Sequence, residues 1–223
     1  MKKILLSLLA MIMAVAAMAQ EHKLLSPDGN ICMKVKNEGV MQMKVEHNGN
    51  SIIDWSPIGL TTSAGQANSK IKKAKQRNVK QVVNAINYKR SQFEEAFNEM
   101  TLTLAGDFNL VLRAYNDGCA YRWVSKTNKS LRIKNETLSL SFPYDGKAFV
   151  PYVNDNRGGE RYCYSFESYY DEQKLSDMYA DSLAITPLAV CTPTQKKVVV
   201  METAVENYPG MFLYRNGNSP ANT

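Results

Sequence analysis

Acidic residues are missing from a long stretch of this chain. None stands between Asp54 and Glu94, while Lys70, Lys72, Lys73, Lys75, Arg77, Lys80, Lys89 and Arg90 all fall there. Histidine is nearly absent: His22 and His47 are too few for a histidine-built metal cluster or a paired catalytic imidazole system. Cysteine is sparse as well. Cys32, Cys119, Cys163 and Cys191 include no C-x-x-C pair, so zinc-ribbon and thioredoxin-like readings have no support. Disulfides and buried free thiols both stay open for them. G-x-S-x-G, H-E-x-x-H, the P-loop and the dinucleotide fingerprint are all lacking, which leaves the common hydrolase and nucleotide chemistries without a carrier. So are internal repeats and linkers rich in Pro, Gly or Ser.

Long apolar runs are confined to the start. Lys2 and Lys3 precede an apolar stretch from Ile4 to Ala17, and Ala17-Met18-Ala19 offers a small-x-small cut before Gln20. The run is short of the ~20 residues a membrane span needs, and no cysteine at the cut invites a lipid. Residues 1–19 are therefore expected to be a cleaved bacterial signal peptide. The product, 20–223, is expected to be periplasmic or secreted, without a membrane anchor. Formal charge is +6, and loss of Lys2 and Lys3 takes two from six to leave +4. The basic run can attract an anionic polymer or surface. It lacks the aromatic interleaving of a single-strand binder, so no nucleic-acid partner is expected. A solvated loop and strand edge is the plainer reading.

What is present alternates. Ile31 to Lys36 follows a Pro27-Asp28-Gly29-Asn30 turn, and Met41, Met43 and Val45 share one face opposite Gln42, Lys44 and Glu46. Asn48-Gly49 then turns the chain into Ser51 to Trp55, a hairpin signal. Met100, Leu102 and Leu104 lie on one face; so do Phe108, Leu110, Leu112 and Ala114 before Asn116-Asp117-Gly118, and Cys119, Tyr121 and Trp123 after it. Strands recurring about every 8–12 residues predict an all-β sandwich. Ser168 to Leu183 alone breaks the pattern, as a short helix or an irregular excursion. Asn154 to Glu160 lacks EF-hand spacing and reads as a polar loop. Val198 to Met201 reads as a buried strand that ends on Glu202.

Longer segments are more specific. Phe97 to Leu104 (FNEMTLTL), Leu110 to Trp123 (LVLRAYNDGCAYRW), Ser165 to Tyr170 (SFESYY), Thr186 to Val190 (TPLAV) and Met201 to Leu213 (METAVENYPGMFL) occur in this order. Together they resemble the N-terminal domain of glycoside hydrolase family 97, secreted bacterial α-glucosidases and α-galactosidases, over nearly all of the chain from Ser26 to Met211. The resemblance implies a large β-sandwich, similar to the mutarotase-like supersandwiches. It implies a partner (β/α)8 barrel carrying the catalytic carboxylates, and calcium near the scissile bond. One calcium ligand comes from the glutamate opening the E-x-A-x-x-x-YPGM motif, which here is Glu202; Glu206 sits where the family uses no ligand. Glu167 matches a recurrent glutamate of structural or interface role.

A (β/α)8 barrel needs about 250 residues, and glycoside hydrolysis needs two carboxyl groups flanking the bond. No pair in this sequence is assigned those roles, so no catalytic residue is named. The expected function is a carbohydrate-associated sandwich that supports a missing or separate barrel and lends Glu202 to calcium, inactive alone. Its carbohydrate would be an α-glucan or α-galactoside. The alternative is a free-standing exported carbohydrate-binding module using Tyr115, Tyr121, Trp123, Tyr162, Tyr164, Tyr169 and Tyr170 as stacking faces. A third reading is a basic module on an anionic surface.

Overall fold

The computed structural model describes residues 20–67, 70–86, 88–153, 166 and 168–216. The segment 1–19, Cys163, Glu167, Tyr162, Tyr164 and the loop from Asn154 to Glu160 lie outside the described residues.

The described chain is built from strands. In order they are β1 (His22–Leu25), β2 (Ile31–Asn37), β3 (Met41–His47), β4 (Asn50–Thr62), β5 (Gly65–Gln66), β6 (Ile71–Asn84) and β7 (Gln92–Leu104). There follow β8 (Phe108–Ala114), β9 (Cys119–Ser125), β10 (Ile133–Leu138), β11 (Lys147–Val150), β12 (Asp171–Lys174), β13 (Leu188–Cys191) and β14 (Lys197–Val200). They form three antiparallel sheets, ordered β1-β2-β3-β4-β10 with β5 on β4, β6-β7-β8-β9, and β12-β11-β13-β14. The all-β expectation holds. Backbone contacts divide the chain into two compact units, one from Met1–Met43 and Ile58–Thr137, the other from Lys44–Pro57 and Leu138–Thr223.

In the first unit, β1 and β2 lie against β7 and β8. Alternation explains this. On β2 the buried positions are Ile31, Met33 and Val35, and on β8 they are Phe108, Leu110, Leu112 and Ala114. Register carries the pattern sideways: Met100 opposes Leu112 and Leu102 opposes Leu110, so both strands turn the same row inward. β9 extends it, with Tyr121 opposite Leu112 and Trp123 opposite Leu110.

The other face of this sheet holds a charged ladder. Glu99 is 6% exposed, between Arg77 on β6 and Arg113 on β8, directly opposite it in register. Arg77 Nε donates to Glu99 Oε1 at 2.7 Å and Arg113 Nε to Glu99 Oε2 at 2.9 Å. The Arg113 guanidinium also stands 4.4 Å from the centre of the Phe97 ring, a cation–π contact. The Arg77 hydrogen bond, aided by that of Arg113, holds the Glu99 carboxyl below its ordinary pKa against the opposing cost of burial.

In the second unit β11 is central, with Ala148 and Val150 fully buried beside Leu188 and Val190 of β13. Gly146 allows the entry into β11, because a Cβ there would collide with the Cys191 carbonyl oxygen. The Ser168 to Leu183 stretch holds β12 and a short 3-10 helix, Leu175–Asp177, so a short helix is present, next to a strand the sequence did not suggest. β12 pairs with β11 over its whole length, and Asp145 accepts both the N–H and the hydroxyl of Ser176, each at 2.9 Å. Those two constraints fix the entry into the 3-10 helix. Cys32, Cys119 and Cys191 are free thiols, and burial pushes the Cys119 thiol up to about 11; for these three the bridge reading fails.

Two stability outcomes follow. Leu102→Ala empties a fully buried site and should lower unfolding free energy by about 2–5 kcal/mol in urea titration. Glu99→Gln tests the ladder. A depressed carboxyl pKa stabilises the fold above the unfolded value of about 4.3, and the gain is lost as pH falls through the folded value. The variant should therefore be less stable than wild type at neutral pH, with the gap closing on acidification. A gap that stayed constant down to pH values where carboxyls protonate would contradict the ladder.

Candidate functional site

Glu202 leaves the sheet just past β14. The β13–β14 hairpin delivers it: Thr192 N–H donates to the Lys196 carbonyl at 2.7 Å, and Lys196 N–H to Thr192 Oγ1 at 3.1 Å. Four cross-strand pairs then run from Cys191–Lys197 to Leu188–Val200. Past β14 the backbone enters left-handed conformations at Ala204 (φ 53°) and Asn207 (φ 54°), which bend it into a loop. For alanine such a φ is uncommon and held by its surroundings.

The carboxylate itself does the holding. Met211 N–H donates to Glu202 Oε1 at 2.6 Å, across nine residues. A Cβ built on Gly210 would stand 3.5 Å from the same oxygen, so the carboxylate lies against the Pro209-Gly210 backbone. Beyond it Leu213 is buried and exchanges two 2.8 Å backbone hydrogen bonds with Ala184. Glu202 is half-buried, whereas Glu206 is exposed and only its N–H is engaged, at 2.9 Å from the Ala204 carbonyl.

The strand before it differs from the sequence expectation. β14 pairs with β13 alone, so Val198 to Met201 is an edge and not a buried strand. Val199 is 51% exposed and Met201 60%. Val205, Tyr208, Phe212 and Tyr214 are exposed too, which surrounds Glu202 in sequence with apolar surface.

Calcium takes six to eight oxygens. Among the described residues no group of three or more His, Cys, Asp or Glu side chains gathers to hold a metal. Glu202 fits a single ligand of such an ion, a carboxylate with one oxygen fixed by a backbone N–H; the described residues do not complete a site around it.

The anticipated aromatics divide. Tyr121 and Trp123 are half-buried and share the inward face of their sheet with Leu112 and Leu110, so each offers only part of its ring for stacking. Tyr115 lies with its ring 5.0 Å from that of Phe97 and donates its hydroxyl to Glu95 Oε1 at 3.0 Å. In the second unit Tyr169 is 96% exposed and Tyr170 is exposed beside it. The Glu99 ladder was not visible in sequence, since only register brings Arg77, Glu99 and Arg113 together.

Comparison with known proteins identifies the family and the fold. The profile described as Glycosyl-hydrolase 97 N-terminal matches residues 24–223. A retaining alpha-galactosidase of Bacteroides thetaiotaomicron is 33% identical over 220 residues, 96% of this chain and 33% of that protein. Among solved structures, a Glycoside Hydrolase Family 97 enzyme from Pseudoalteromonas sp. strain K8 in complex with panose superposes at TM-score 0.71 with 21% identity, covering 87% of this chain and 30% of its own. A beta-arabinopyranosidase superposes at TM-score 0.72 with 22% identity, covering 83% and 32%. The chain thus spans about a third of the length of the relative it matches.

The Glu202 clamp has a direct check. Glu202→Ala should speed amide exchange at Met211 and open the 202–211 loop to protease, while Glu202→Gln, which can still accept the bond, should change both far less. Equal effects from the two substitutions, or none from either, would remove the clamp.

Proposed function

This chain belongs to the Glycosyl-hydrolase 97 N-terminal family, and on that premise we propose that it is the supporting sandwich of an exported bacterial α-glycosidase. The catalytic carboxylates of such an enzyme lie, on this reading, in the two thirds of the relative's length that this chain does not span. The exposed apolar stretch from Val199 to Tyr214 carries the proposal. Single exposed apolar residues are ordinary, but six of them within 16 residues of chain (Val199, Met201, Val205, Tyr208, Phe212 and Tyr214) are a candidate interaction surface. Here it flanks a carboxylate whose loop is pinned in shape. A catalytic barrel covering this stretch would bury Met201 and Phe212 and receive the Glu202 carboxylate as one ligand of a calcium ion. The calcium, when bound, would supply positive charge beside the sugar. This chain's contribution is to hold Glu202 Oε1 against Met211 N–H so that the carboxylate is placed before the ion arrives. Substrates in this reading are α-galactosides or α-glucosides, and the segment 1–19 directs the protein to the periplasm or outside the cell.

A second reading, a separate carbohydrate-binding module, draws on the near-complete exposure of Tyr169 beside Tyr170.

The purified 20–223 chain separates them. It should hydrolyse neither p-nitrophenyl α-galactoside nor the α-glucoside above background, bind a hydrophobic dye, and take up calcium no more tightly than about millimolar in calorimetry. In a full-length family enzyme carrying this domain, Glu202→Gln should weaken calcium affinity and turnover together, and Glu206→Gln neither. Hydrolysis sensitive to a point substitution within 20–223, or like behaviour of the two glutamate variants, would overturn the proposal. Retention of the isolated chain on a neutral α-glucan, lost in Tyr169→Ala, would select the second reading.

A further inference from the structure

The outer face of the β6-β7-β8-β9 sheet is a grid of cations. Its rows follow from register. Lys73 opposes Thr103, which opposes Asn109; Lys75 opposes Thr101, and Arg122 closes that row opposite Val111. Arg77, Glu99 and Arg113 make the next row. The five cations of these rows, Lys73, Lys75, Arg77, Arg113 and Arg122, face one carboxylate, Glu99.

A bulge makes this possible. Ile71 pairs with Leu104 and Lys73 with Thr103, so the register slips between them. Ile71 thereby sits on the inward row with buried Leu104, and Lys73 is sent to the outward one. From there Lys75 and Arg77 follow by alternation. Lys73, Lys75 and Arg122 are exposed, and none of the three has an acidic partner among the described residues.

We propose that this face binds an acidic polysaccharide, one bearing uronate or sulfate groups. Charge complementarity selects an anion, and the arrangement selects its kind. Alternate residues along a strand stand about 6.6–7 Å apart and neighbouring strands about 4.8 Å, so three cations line up along β6 and two more stand two and three strands away, a spread suited to an extended chain with repeating charges. Between them Thr101, Thr103 and Asn109 are half-buried hydrogen-bonding side chains, suited to sugar hydroxyls. A lipid surface or a protein partner would call for an apolar or aromatic anchor. Within these rows the only apolar side chains larger than alanine are Val111 and Val124, both half-buried; in the next row Val79 is half-buried and Phe97 is fully buried beneath Arg113, so neither row offers an exposed anchor. The exposed Val82, Ile86, Tyr88 and Phe93 belong to the far end of the β6–β7 hairpin. The Glu99 ladder serves the face by fixing the two arginines on either side of one carboxylate. This binding is independent of the catalytic reading, since it uses no residue of the 199–214 stretch.

Affinity electrophoresis of the 20–223 chain through polygalacturonate, through a sulfated glucan and through a neutral glucan tests it. Binding to one or both polyanions, weakening with salt and missing from the neutral gel, is expected. Lys73→Gln/Lys75→Gln/Arg122→Gln should weaken it roughly tenfold or more. The control Lys80→Gln/Lys89→Gln/Arg90→Gln removes the same charge elsewhere in the chain and should weaken it by less than about twofold. Equal losses in the two triples would show a net-charge effect and overturn the site. Failure to bind either polyanion at physiological salt, or stronger capture by phosphatidylglycerol vesicles than by polysaccharide, would also overturn it. Circular dichroism and melting of each triple keep misfolding distinct from lost binding.

Discussion

The register between β7 and β8 is the constraint on which most of the first unit depends. Side chains on a strand alternate with a period of two, so a slip of one residue would turn Met100, Leu102 and Leu110 to solvent and the Glu99 row into the core. The inward row is apolar from Met100 to Leu104 and the outward row carries Glu99 with its arginines and the polar Thr101, Thr103 and Asn109, so a slipped register is costly on both faces at once. Burying Arg77 or Arg113 without Glu99 would leave an unpaired cation in a dry interior. The hydrophobic row and the ladder therefore specify the same pairing from opposite sides. The outer face is thus not decoration on a core decided elsewhere; it contributes to choosing that core.

Edge strands show the same economy with two different results. β6 is the free edge of its sheet, and its exposed residues include Lys72, Lys73, Lys75, Arg77 and Lys80. Lysines along an edge repel a second copy and block edge-to-edge pairing. β14 is likewise an edge, yet it presents Val199 and runs on into Met201. An edge left apolar is a liability unless something covers it. The contrast inside one chain is the reason to read the β14 end as a surface made for contact and the β6 edge as a surface made for water and anions.

How much of this was legible in sequence depends on range. Local alternation was: Met41, Met43 and Val45, and again Phe108, Leu110 and Leu112, occupy the buried rows their spacing assigns. The basic run was read as a loop with a strand edge, and it is mostly one strand of 14 residues. Its polarity hid it, because an edge strand with both faces exposed carries no hydrophobic period. Val198 to Met201 misled in the opposite sense, since apolar runs report β propensity and not which neighbours exist. The arginine ladder is non-local, joining positions 77, 99 and 113 only through pairing. The half-burial of Tyr121 and Trp123 depends likewise on pairing, which sets them beside Leu112 and Leu110. The Glu202 assignment came from motif likeness, and the Met211 bond was beyond it, as a link across nine residues has no signature in composition.

That bond changes what Glu202 means physically. A free glutamate at a strand end samples many rotamers, and ordering it on a ligand costs on the order of 1 kcal/mol or more of side-chain entropy. With Oε1 accepting from Met211 N–H at 2.6 Å, part of that cost has already been met on folding. The same bond closes the loop that contains the left-handed Ala204 and Asn207. A carboxylate fixed by one oxygen on a rigid loop is a preorganised donor, and preorganisation is of use only toward something that comes to meet it. The apolar residues on either side give that something an extent: it must exclude water from Met201 and Phe212 while leaving room for the carboxylate. A bare ion cannot do both, and a folded partner surface can. On the proposed reading, the clamp and the exposed stretch together serve a protein domain that packs here, with any ion held between them.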